Sequence, residues 1–187
     1  MALQIPIPKE RQLHLAQQVD QASINSITKS ILEINEDDEY IAKFADLHGF
    51  TYTPKPIELY IDSYGGAVYQ CMGLLGVMQN SKVPVNTIVT GCAMSAGFMI
   101  AITGHKRFAY DHATFMYHQV SSGVIGKLKD MEEDVIEAKR LQKFIEEHTL
   151  SKTKLTEKEL EKCYETKKDW YFNVKQAIKH GIIDAVI

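Results

Sequence analysis

The chain predicts an α/β fold on a mainly parallel sheet, and three observations carry that expectation. Short strand-like apolar runs alternate with helix-patterned stretches, an order that implies parallel strands joined by right-handed crossovers. The 187 residues are 45% hydrophobic and 24% charged, enough for one domain with a substantial core. Near the middle, the apolar run Val85 to Thr90 stops at Gly91, and a helix-forming run opens at Ala96 with Ser95 on the turn between.

Gln12 to Val19 contains an alternating segment that reads as a first strand. Ala22 to Ile34 follows as a helix, with Ile24, Ile27, Ile31 and Ile34 at helical spacing. Asn35 to Pro56 opens on Glu36-Asp37-Asp38-Glu39 and closes on Thr51-Tyr52-Thr53-Pro54-Lys55-Pro56. It reads as a surface insertion (35–56) with one helical turn, inside a single domain spanning 1–187. Ile57 to Ile61 is a strand, Asp62 to Gly66 a turn, and Ala67 to Asn80 a helix with Val68, Cys71, Leu75 and Met78 on one face.

Val83 to Thr90 is the next strand, ahead of the serine turn and a short helix. Arg107 to Tyr110 and Thr114 to His118 are two short strands around Asp111-His112-Ala113. A long helix runs over 126–148, with Leu128, Met131, Val135, Ala138, Leu141 and Ile145 as an apolar stripe. At about 1.5 Å per residue it reaches beyond roughly 30 Å. Two readings stand for it: a helix lying on its own sheet, or one projecting to bury its stripe against another subunit. Thr156 with Glu159, and Asn173 with Gln176, have capping-box spacing; Gly181 ends the last helix, and Ile182 to Val186 closes as a strand.

Bulk properties exclude more than they identify. A formal net charge of -3 argues against nucleic-acid or anionic-membrane partners, and no apolar run is long enough to span a bilayer. Met1 to Arg11 carries two prolines and no apolar core of a signal peptide. Cys71, Cys92 and Cys163 are odd in number, far apart and outside any CxxC spacing. Reduced thiols in a cytoplasmic protein are expected, not a zinc site or a disulfide framework.

The chemistry gathers at Ser95. A strand-to-turn-to-helix elbow holds a hydroxyl clear of the backbone and aims the free N–H groups of the new helix at it. Such a nucleophile needs a base, and the base an orienting acid. Of seven histidines, His118 is placed best, at the end of a strand of an α/β sheet. Oxyanion donors are available at the Ala96 N–H and at Gly66, where a Gly-Gly turn brings backbone close to a substrate. The acid stays open among Asp62, Asp111, Asp130, Asp169 and Asp184; Asp169 has the advantage of preceding the aromatic cluster Trp170-Tyr171-Phe172.

Five segments, Ser63-Tyr64-Gly65-Gly66, Gly91 to Gly97, Lys106-Arg107-Phe108-Ala109, Met116-Tyr117-His118-Gln119 and Asp169 through Asp184, occur in one order and spacing. In that order and spacing they resemble the proteolytic subunit of the Clp protease. The resemblance runs from about Gln12 to the C-terminus, interrupted by 35–56. It implies a Clp/crotonase-type ββα-superhelix fold with 126–148 as a projecting handle helix. It implies Ser95 as nucleophile, His118 as general base and acid, Asp169 as orienting acid, and Gly66 and Ala96 N–H groups as the oxyanion hole. Gly65 and Gly123 would contact substrate, the latter near a segment that pairs peptide backbone as an added strand. No metal or cofactor is implied. The assembly implied is a double heptameric ring enclosing the sites, fed with peptides or unfolded protein, with an AAA+ ATPase unfoldase as a possible partner.

The chain departs from the family pattern at Tyr64 and Val120, which stand where prolines are usual, in the short stretch before Gln12, and in the insertion. These departures bear on the ATPase partnership, not on the peptidase groups. Three other readings compete. A crotonase-type acyl-CoA enzyme would need neither Ser95 nor His118. The others are a catalytically idle subunit of a mixed ring, and a phage prohead-type protease of related fold.

Overall fold

The computed structural model describes residues 6–187; Met1 to Ile5, part of the segment read above as lacking a signal peptide, lie outside the described residues. Among the described residues seven strands form one sheet in the order β1-β2-β3-β4-β7, with β5 branching from β3 and β6 beyond it. The strands are β1 Gln12–Leu15, β2 Ile57–Ser63, β3 Val85–Met94, β4 Arg107–Ala109, β5 Thr114–Tyr117, β6 Trp170–Asn173 and β7 Ala185–Val186. All pairings are parallel except β5 with β6. The helices are α1 Gln21–Leu47, α2 Val68–Gln79, α3 Ala96–Thr103, α4 Leu128–Lys152, α5 Glu157–Thr166 and α6 Val174–Lys179. The α/β expectation with a parallel sheet therefore holds.

Burial follows the pleat. On β2, Ile57, Leu59 and Ile61 are fully buried while intervening residues are not, and each such side chain contributes about 1.5–3 kcal/mol on leaving water. α3 is buried over all eight of its residues, which makes it the central helix under the sheet's branch point.

The first correction concerns 35–56. Instead of holding one helical turn, the segment continues α1 without a break to Leu47. The inward positions run Ile24, Ile27, Ile31, Ile34, Asp38, Ile41 and Ala45, all buried, so the helical period never stops. It is masked in sequence because one of these inward positions, Asp38, is an aspartate. Asp38 is satisfied there by an ion pair with Arg11 and a hydrogen bond from Tyr52. Asn35, also buried, accepts from the Lys82 and Val83 N–H groups at 2.9 and 3.3 Å. Only the stretch 48–56 is irregular.

The second correction concerns β3, which passes Gly91 and ends at Met94. Its register with β2 slips between Ile61 and Ser63. There the Cys92 N–H donates to Asp62 Oδ1 at 2.9 Å, and a Cβ on Gly91 would stand 2.5 Å from that oxygen. Gly91 thus marks a bulge, not a strand end. At this bulge β3 changes neighbour, pairing β4 through Thr87–Val89 and β5 through Cys92–Met94.

α4 is divided along its length. Leu141, Gln142, Ile145, His148 and Thr149 are buried, whereas Leu128, Met131, Val135 and Ile136 are exposed. Both expected capping boxes are present, at Thr156/Glu159 and Asn173/Gln176, and Gly181 has φ +63° just after α6.

Candidate active site

Ser95 joins β3 to α3 with φ 53° and ψ −121°, a conformation that costs a non-glycine residue about 1–3 kcal/mol. The surroundings hold it there. Ser95 N–H donates to Met116 O at 2.9 Å, extending the β3–β5 ladder by one bond. The glycine turn after β2 lies directly on the elbow: a Cβ on Gly65 would stand 2.6 Å from Met94 O and 2.7 Å from Ser95 Cβ. Gly65 and Gly66 have φ of 98° and 148°, so both position and conformation demand glycine. Ser63 Oγ braces the turn, donating to Gln17 O at 2.6 Å and accepting from the Gly65 N–H at 3.2 Å.

His118 follows the last residue of β5, and its Nε2 stands 2.7 Å from Ser95 Oγ. With the serine hydroxyl donating, Nε2 accepts and the proton of the neutral imidazole sits on Nδ1. Two backbone donors complete the arrangement. Ala96 is the first residue of α3, so its N–H has no partner within the helix. Around Gly66, Gly65 O accepts from the Val19 N–H and the Ala67 N–H donates to Val19 O, both at 2.8 Å. Alternation along this parallel bridge turns the Gly66 N–H to the opposite side.

Gly66, Ser95, Ala96 and His118 share one cavity of about 180 Å³. The rest of its wall is largely apolar: Val68, Cys71 and Met72 from α2, Met99 from α3, and Phe144 and Ile145 from α4. Burial pushes the Cys71 thiol up to about 12, so it stays protonated, and its Sγ donates to Ala96 O at 3.4 Å. Sequence reasoning missed this wall. The available signal was the 68, 71, 72 spacing on α2, which puts three side chains on one helix face.

The five aspartates separate by what they hold. Asp62 accepts from Cys92 N–H, Asp130 from Lys127 N–H, and Asp184 pairs with Arg107. Asp111 lies in the turn after β4. Asp169 precedes Trp170 and His118 follows Tyr117, so each is one residue beyond the last pair of the antiparallel β5–β6 ladder. Among the described residues, however, no hydrogen bond joins it to His118; Asp169 lines a separate groove of about 390 Å³ with Lys162, Cys163 and Lys168. The structure thus brings four of the expected groups together and leaves the fifth alongside. Gly123 also lies off the cavity, in open space; Gln119, Val120 and Ser121 are the loop residues that line it. No group of three or more His, Cys, Asp and Glu side chains is gathered as metal ligands would be, among the described residues. No helix there is long and apolar enough to cross a membrane.

Comparison with known proteins converges on one family. The family described as Clp protease matches residues 4–187. The ATP-dependent Clp protease proteolytic subunit 1 of Prochlorococcus marinus subsp. pastoris (strain CCMP1986 / NIES-2087 / MED4) is 30% identical over 182 residues. That alignment covers 96% of this chain and 84% of the relative.

Proposed function

The chain belongs to the Clp protease family, and on that footing we propose that it is a serine endopeptidase working through an acyl-enzyme on Ser95. The observation that carries the reading is the 2.7 Å approach of His118 Nε2 to Ser95 Oγ at a positive-φ elbow. In the first step Ser95 Oγ attacks the scissile carbonyl carbon while His118 Nε2 takes the hydroxyl proton. The oxyanion is received by the Ala96 and Gly66 N–H groups, preorganised donors that need not reorient as charge develops. The tetrahedral centre then collapses, the C–N bond breaks, and His118 returns the proton to the leaving amine. A water, deprotonated by the same imidazole, cleaves the ester and frees Ser95.

Asp169 is assigned as the acceptor for His118 Nδ1–H, supported by the fact that both lie one residue beyond the last pair of the β5–β6 ladder. Engagement requires its carboxylate to turn out of the neighbouring groove. Gly65 and Gly123 are assigned to the substrate path. The apolar wall of the 180 Å³ cavity supports an uncharged, apolar side chain on the acyl side of the cleaved bond.

Assembly is part of the reading. The exposed apolar half of α4 supports its role as a handle that seats against another copy in a double heptameric ring. Peptides and unfolded chains are the substrates inside that chamber, and an ATPase unfoldase is the partner suggested by the relative's ATP-dependence. Three free cysteines support a cytoplasmic setting.

A second reading, an idle subunit of a mixed ring, is favoured by one observation: the missing Asp169–His118 hydrogen bond among the described residues. The experiment that separates the two is intact mass after treatment with a fluorophosphonate, on each size-exclusion fraction, with Ser95→Ala as control. One adduct confined to a large oligomer and lost in Ser95→Ala supports the peptidase. No adduct in any fraction favours the idle subunit.

A further inference from the structure

Past His118 the chain runs through Gln119-Val120-Ser121 without helix or strand pairing. These residues form a wall between two spaces. Gln119 and Val120 line the candidate cavity on one side and, on the other, a groove of about 350 Å³ over α4. Val120 packs partly against the core, but a wall with space on both faces also leans on its polar anchors for its position.

The anchor is on α4. Val120 N–H donates to Gln142 Oε1 at 2.8 Å, and Gln142 Nε2 donates to Glu146 Oε1 at 2.6 Å. The backbone donor on one side and the carboxylate on the other fix which end of the amide faces which partner. Gln142 is 8% exposed, so water is poorly placed to replace it. One side chain thereby supplies the acceptor that a neighbouring strand would supply in a ladder. The requirement exists because residue 120 is a valine; a proline there would have no N–H to satisfy.

We propose that Gln142 is a positioning residue for the catalytic segment: by holding Val120 N–H it fixes the wall and sets His118, two residues earlier, at hydrogen-bond distance from Ser95. The inference rests on the peptidase reading given above. Without the acceptor the half-buried Val120 N–H loses its partner, and the segment shifts to find another. Displacement of a general base by about 1 Å costs on the order of 10²-fold in rate.

The test uses the full chain in its assembled form and reads two quantities: the rate of fluorophosphonate labelling at Ser95, and amide hydrogen exchange resolved at Val120. Gln142→Leu is expected to slow labelling on the order of 10²-fold. Protection should be lost at Val120 while α4 keeps its own. Peptide turnover should show a larger fall in kcat than rise in KM. In a Val120→Pro background, where there is no N–H to hold, adding Gln142→Leu should slow labelling less than about threefold further. An equal loss in both backgrounds shows that Gln142 acts through packing and overturns the inference, as does a Val120 amide that exchanges freely in the unmutated protein. That exchange measurement needs no proline variant. An unmutated protein that takes no label overturns the peptidase reading and this inference with it. A labelled parent whose Gln142→Leu variant labels equally fast overturns the inference alone.

Discussion

His118 Nε2 stands 2.7 Å from Ser95 Oγ, while Asp169, one residue before the β6 strand that pairs with β5, makes no hydrogen bond to His118 among the described residues. Ser95 and His118 meet because β3 and β5 are adjacent strands whose ends carry them. Asp169 sits at the end of the turn that leads from α5 into β6. Lys167 there adopts a left-handed conformation with φ 52°, and Cys163 Sγ donates to Lys168 O at 3.0 Å. That turn is therefore held by bonds of its own, not by the histidine.

If Asp169 completes the site in the assembled protein, Asp169→Asn should slow Ser95 labelling by about 10³–10⁴-fold with the fold intact, because an amide stabilises the wrong tautomer of the imidazole. Labelling within threefold of the unmutated rate would remove Asp169 from the machinery.

The apolar cavity predicts selection at the residue whose carbonyl is attacked. Peptides with Leu or Met there should be cleaved at least about 10²-fold faster than those with Asp, since a carboxylate would enter the wall unpaired. Filling the space with Ile145→Trp should move the preference toward Ala. Competing-peptide mass spectrometry reads both outcomes, and indifference to that side chain would exclude the cavity as its pocket.

Arg11 and Asp38 are nearly buried, with side chains 10% and 5% exposed. Asp38→Ala leaves the guanidinium uncompensated and should cost about 3 kcal/mol, a fall in Tm of about 6–12 °C for a chain of this size. Arg11→Leu combined with Asp38→Leu should recover most of that loss, because no charge then remains to be desolvated. Thermal unfolding of the two variants beside the unmutated protein checks the sign.

His148 predicts a pH dependence. Its Nε2 stands 2.7 Å from Thr103 Oγ1, whose own proton goes to Met99 O at 2.7 Å, so the imidazole must be the donor there. Burial, reinforced by Lys152, lowers its pKa from 6.5 to about 4. Since the folded value lies below the unfolded one, this group's contribution is fully present above about pH 6.5. It falls away as pH drops from there toward 4, where the unfolded chain binds the proton and the folded one does not. Tm measured from pH 8 to 4 should show a shallower acid limb in His148→Gln than in the unmutated protein.

Val135 is 53% exposed on α4 and Leu141 only 7%, so the stripe is buried in this chain over one half alone. Val135→Glu should reduce native mass without lowering the stability of the single chain; Leu141→Glu should unfold it. Unchanged mass on Val135→Glu would show that this half of the helix seats nothing.

Much of this protein was legible in its residues because local rules were enough. Ser95 between an apolar run and a helix, glycines at 65 and 66, a histidine at a strand end and the boxes at Thr156 and Asn173 each state their own geometry over a few positions. What failed in sequence failed where distant groups intervene. The charge run at 36–39 interrupts a helix on paper, yet Arg11 and Tyr52, remote along the chain, make Asp38 a buried helical residue. Gly91 reads as a strand end until Asp62 is seen to bind across a bulge. The cavity wall, the bond from Val120 to Gln142 and the orientation of Asp169 depend on how α2, α4 and the α5–β6 turn pack. Side-chain periodicity tells each helix which face to bury, but not what that face will meet.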